Sequence, residues 1–172
     1  MQKDFHYYAT YCAACLAGYT PEDSREIAWS AQFVDLCTDT FLRDIKGPVS
    51  AATTQFQSEL ANLSSSISAL QNVTRIWSSF HFLPYDLNAE PPRRTTRKYK
   101  NKYRLICKPN GALVKDTVLL AKKEKTLQAV GVAMHIVADT WAHAYFCGTP
   151  SLIINDTNHS MTEIRETDGE IT

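Results

Sequence analysis

The chain has 172 residues, 44% of them hydrophobic, which suffices for one domain with a real core and is too few for two. It has no run of about 18 apolar residues, and the opening MQKDFHYY puts charges where a secretory leader needs an apolar segment, so a soluble, cytoplasmic protein is expected. Five scattered cysteines, an odd number, exclude a disulfide scaffold, and a formal net charge of zero gives no global bias toward an acidic or basic partner.

In chain order, residues 4 to 17 carry Phe5, Tyr8, Cys12, Cys15 and Leu16 at the spacing of an apolar helix face, and Gly18 supplies a stop. Thr20 then serves as an N-cap before Pro21, with Glu22 and Asp23 in the first turn, so a second helix runs through SAQFVDLC and pairs antiparallel with the first. IKGPVSAA breaks the pattern. Residues 53 to 71 read as a polar, Ser-rich helix, and FHFLPYDLNAEPP is irregular because of its prolines. Between Arg93 and Lys108 stand eight Lys and Arg and no acid. This basic loop, at about 91–108, is either a solvated insertion or a contact for a phosphate-bearing substrate, lipid or nucleic acid, with Tyr99 and Tyr103 interleaved among the cations. Next, YRLICKPNGALV admits a small β-hairpin near 103–114, around Pro109-Asn110-Gly111. From Asp116 to Phe146 the chain is helical with a break near Lys125, ended by Gly148-Thr149-Pro150. Trp29, Trp77 and Trp141 are assigned to core packing, as is the lone Cys12-Ala-Ala-Cys15 spacing. The expected fold is mainly α, a single helical domain over 1–172.

The stretch GVAMHIVADTWAHAYFCG carries the chemistry. Steps of four on a helix drift by only about 40°, so His135, Asp139 and His143 share one face of an apolar helix. A buried carboxylate there needs partners, either a hydrogen-bond network or a metal. About 12 Å of rise separates His135 from His143, too far for one ion with bonds of about 2.1 Å. Either two ions share Asp139 or only one end is metallated. The other three histidines also sit near candidate ligands: His6 beside Asp4, His81 among aromatics before a proline, and His159 four residues before Glu163.

Taken together, DFHYY, SAQFVD, FHFLPYD and HIVADTWAH resemble an uncharacterised bacterial family of unknown function over nearly the whole chain. Their order also resembles, remotely, the zinc-dependent phospholipase C fold and the zinc-dependent single-strand nucleases. That resemblance implies two or three Zn²⁺ ions: one on His81, His135 and Asp139, a second on His6 and Asp139, a third on His143, His159 and Glu163. Asp4 stands where those enzymes use their N-terminal amine, and His143 follows the aspartate by four residues instead of six. Asp35 is implied as the catalytic base that orients or deprotonates the attacking water. The polar tail RETDGEIT implies a truncated C-terminus relative to the close family.

Such a cluster suits attack of water on phosphoester bonds, because the ions acidify water and neutralise phosphoryl charge. The alternative is a non-catalytic, metal-stabilised or scaffold domain that binds a partner protein. Oligomeric state is not legible in the sequence.

Overall fold

Threonines start three of the helices. Thr20, Thr38 and Thr126 each adopt extended backbone, and each Oγ1 accepts from the N–H three residues on, at 3.1, 3.1 and 3.2 Å. In the computed structural model, which describes residues 3–55, 67–91, 93 and 97–149, every regular element is helical. Helix α1 joins a π-helical stretch, Asp4–Ala9, to an α-helical one, Thr10–Leu16, and ends at Gly18 with φ 94°. Helices α2 (Pro21–Phe33) and α3 (Asp39–Asp44) follow, with a 3-10 turn at Val49–Ala51. Helix α4, Ile67–Ile76, runs directly into a second π-helical turn, Trp77–His81. Then come α5 (Arg97–Tyr103), α6 (Ala112–Glu124) and α7 (Leu127–Ala142). Residues 56–66 of the expected Ser-rich helix lie outside the described residues, and no described helix is long and apolar enough to cross a membrane.

Helix α7 is the hub, touching α2, α6 and both π-helical segments, with α2 its most extensive partner. Gly131 makes that closeness possible. A Cβ there would stand 2.4 Å from the Ile27 carbonyl and 2.5 Å from Ser30 Cβ, so only glycine lets the two backbones meet. On its other side α7 closes a small apolar cluster through Ile136, against Leu83 and Val114. A second cluster, Cys37, Leu42, Ala52 and Ile76, seats α3 against α4. Burying Ile27 and Ile136 contributes on the order of 1.5–3 kcal/mol each.

Several expectations are corrected. The β-hairpin near 103–114 is absent: α5 occupies 97–103 of the basic loop, and after the Asn110 turn (φ 63°) the chain enters α6. Ile106 and Cys107 instead form isolated bridges to Cys147 and Pro84. Helix α1 is turned over relative to its apolar spacing, with Phe5, Tyr8, Cys12 and Leu16 outward and His6, Thr10 and Ala14 buried. Trp29 and Trp141 are 51% and 62% exposed, so neither is core. The break near Lys125 occurs as expected, with that residue left-handed at φ 56°.

Candidate metal centre

Both π-helical stretches end or centre on a histidine that reaches α7, His6 in the first and His81 in the second. An i→i+5 turn widens the helix locally and re-aims side chains, which is why such turns gather at functional sites. Helix α7 supplies His135 and Asp139 from one face, and Asp35 enters from just beyond the end of α2. His6, His135 and Asp139 are fully buried.

The Asp139 carboxylate is the meeting point. Its Oδ2 lies 3.0 Å from His81 Nδ1 and 3.2 Å from His135 Nε2, and those two nitrogens are 3.3 Å apart. Its Oδ1 lies 3.2 Å from His6 Nε2 and 3.6 Å from His143 Nε2. Asp35 divides in the same way, with Oδ1 3.8 Å from both His81 Nδ1 and His135 Nε2, and Oδ2 3.7 Å from His6 Nε2. Two sets of ligand atoms lie within 4.8 Å of one another, one from His6, His135 and Asp139, the other from Asp35, His81 and His135.

Backbone carbonyls fix the tautomers. A carbonyl only accepts, so His135 Nδ1–H donates to the Ala31 carbonyl at 2.9 Å and His81 Nε2–H donates to the Thr53 carbonyl at 2.9 Å. In the neutral rings the inward nitrogens, His135 Nε2 and His81 Nδ1, therefore present lone pairs to each other and to Asp139. Among the described residues neither nitrogen of His6 makes a hydrogen bond, although its ring stacks on His135 at 3.8 Å.

Electrostatics sharpen this. Burial alone would push the Asp139 carboxyl up, but contacts from His135, His6 and His81 outweigh it and hold the group well below the usual carboxylate range. Burial pushes His135 below the ordinary imidazole range, against the pull of Asp139, and burial lowers His143 too. An ionised carboxylate thus sits beside a His135 ring that burial disfavours charging, with His143 lowered in the same way at the edge. Either protons forced onto stacked rings or a cation can balance that charge, and outward N–H groups held by carbonyls are how proteins orient metal-binding histidines. Two ligands about 2.1 Å from one ion, at angles of 90° to 110°, lie about 3.0–3.4 Å apart. The triangle of His81 Nδ1, His135 Nε2 and Asp139 Oδ2 has that size.

Of the expected site residues, the structure brings together His6, Asp35, His81, His135, Asp139 and, at its edge, His143. Asp4 is exposed two residues from His6, on the far side of its helix, and does not join them. His159 and Glu163 lie outside the described residues. Asp35 Oδ1, at 3.8 Å from His81 Nδ1 and His135 Nε2, stands just outside the spacing of that triangle. Sequence reasoning missed the Ala31 and Thr53 carbonyls, since a main-chain acceptor leaves no residue-type signal. Cys147, which follows His143 by four, belongs to neither set: its thiol donates to the Lys102 carbonyl at 3.4 Å, and burial raises its pKa. No curated protein and no solved structure matches the chain, so the resemblance to zinc-dependent phospholipases and nucleases remains one of motif order. A family model matches residues 1–170, and the chain belongs to the family of unknown function (DUF6765).

Proposed function

We propose that the protein is a divalent-metal-dependent hydrolase, with zinc the expected ion, acting on phosphoester bonds. The observation that carries this reading is the triangle of inward-facing ligand atoms on His81, His135 and Asp139, held by outer hydrogen bonds at a spacing suited to one ion. Each imidazole nitrogen has one in-plane lone pair, so His135 serves one ion only. The two carboxylates each turn one oxygen toward His81 and His135 and the other toward His6. That division supports two ion positions sharing Asp139 and Asp35, with His143 at the edge of the His6 half.

Ions held there supply Lewis acidity, acidifying water and neutralising charge on a phosphoryl group. The chain's own part is proton handling and access. Fully buried His6, His135 and Asp139 form the floor, while Asp35 and His143, with side chains 19% and 28% exposed, face the approach of substrate and water. Asp35 can accept the proton of an attacking water, and a His143 kept neutral by burial can pass one on.

A non-catalytic, metal-stabilised module is the second reading, favoured by the complete burial of half the ligands. One experiment separates the two. Protein purified without added metal should carry about two equivalents of transition metal and hydrolyse bis(p-nitrophenyl) phosphate, with activity lost on chelation. Less than one equivalent, with no thermal stabilisation by zinc, overturns the metal reading. Full loading without hydrolysis in zinc, manganese or magnesium selects the second.

A further inference from the structure

Trp141 stands two residues from Asp139 and so points from the opposite face of α7, away from the metal centre. There it lines an open cleft of about 440 Å³ together with Tyr85, Lys108, Pro109, Ala144 and Tyr145. That volume lies within the range of small-ligand sites. Three aromatic side chains are exposed around it: Tyr85 at 44%, Trp141 at 62% and Tyr145 at 70%. Tyr145 is held there against its own preference. Its φ of 74° is left-handed, a conformation a bulky L-residue rarely adopts, and it persists because Tyr145 N–H donates to the Cys107 carbonyl at 2.8 Å beside the Ile106–Cys147 bridge. The Lys108 ammonium lies 5.0 Å from the Tyr145 ring centre.

Tyr85 and Lys108 also line a second cleft, together with Tyr103. The two clefts therefore form one path of four rings around a lysine. Lys108 closes the basic stretch of eight Lys and Arg without an acid. One carboxylate, Asp86, lines the second cleft, and its Oδ1 already accepts from the Asn88 N–H at 2.8 Å.

We propose that this face binds single-stranded nucleic acid, with bases stacking on Trp141, Tyr145 and Tyr85 and phosphates drawn to Lys108. Exposed aromatic platforms beside a cation are what an unpaired strand requires, since every base offers a flat face and every linkage a charge. The surface is separate from the metal centre, and the proposal stands or falls without it.

The test is fluorescence anisotropy of the full chain with a labelled oligothymidylate 15-mer at low salt, the strand checked for intact length on a gel. Binding should saturate, weaken steeply with salt, and quench tryptophan emission, with the quench much reduced in Trp141→Phe. Trp141→Ala and Tyr145→Ala should each weaken binding about 5- to 100-fold. Lys108→Gln should reduce the salt slope by about one. Tyr145→Gly separates binding from folding: glycine accepts the left-handed backbone, so Tm should hold or rise while binding is lost. No binding at low salt overturns the proposal. So does binding unchanged in Trp141→Ala and Tyr145→Ala, or binding to phosphatidylserine vesicles that the oligonucleotide does not compete away.

Discussion

Asp139 is where a metal centre and a purely protonic network make opposite predictions. In a network of imidazolium and carboxylate, removing the charge leaves buried cations unpaired, and Asp139→Asn should destabilise by about 3–5 kcal/mol. In the metal reading the inward nitrogens of His81 and His135 are lone pairs, so an amide N–H at position 139 can donate to one of them. Asp139→Asn should then abolish metal retention, yet the metal-free variant should match or exceed the metal-free parent in stability by about 1–3 kcal/mol, having shed a buried charge. Metal content by elemental analysis, alongside urea unfolding of both proteins in chelator, reads the two quantities. A variant that keeps its metal, or loses several kcal/mol without it, defeats the assignment. Cys107 gives no such choice: burial and the nearby Asp139 charge push its thiol up to about 12, so it stays protonated and inert.

Between elements, the α2–α7 crossing sets the site. Gly131 lies one helical turn before His135, and the close approach it permits is what delivers the Ala31 carbonyl to His135 Nδ1. Gly131→Ala should therefore cost about 2–4 kcal/mol despite alanine's better helix propensity, because the added carbon meets backbone that cannot yield. Thermal unfolding measures this, and metal affinity should fall with it. A neutral or stabilising outcome would show that the helices separate freely. Glycine at that position was visible in the sequence, but its partner was not, since a crossing point is a relation between two helices. The same limit explains the inverted α1. Periodicity favoured the aromatic face of Phe5 and Tyr8, whereas packing on α2 needs the narrow face of Thr10 and Ala14, and that face also carries His6 inward. Caps and breaks were legible because they are local, as at Thr20 and Lys125. The His135 and Asp139 pairing was legible because helical spacing alone aligns them. The placing of Asp35 and His81 depended on motif order, and the π turns that carry His6 and His81 leave no local pattern in the sequence.

For the whole molecule, the response of stability to pH distinguishes the same two readings without any mutation. Burial lowers the pKa of His135 and of His143 in the folded state. Below about pH 6.5 the unfolded chain therefore binds protons that the folded chain refuses, and stability must fall as pH falls. His135 contributes a slope of up to about 1.4 kcal/mol per pH unit over that window, and His143, partly exposed, contributes less. Bound metal adds the same sign, because protons compete for the imidazole nitrogens, and it makes the fall steeper. Asp139 has the depressed pKa of a stabilised carboxylate, so its contribution is lost only as pH drops below the ordinary carboxylate value of about 3.9, outside this window. Unfolding free energy should accordingly be level from pH 8 to 7 and decline from 6.5 to 5, more steeply with zinc than with chelator. Imidazolium pairs would do the reverse: their pKa values would be raised by folding, and stability would climb as pH fell from 8 toward 6. Urea titrations at half-unit intervals, with and without zinc, decide between a centre built around metal cations and one built around protons.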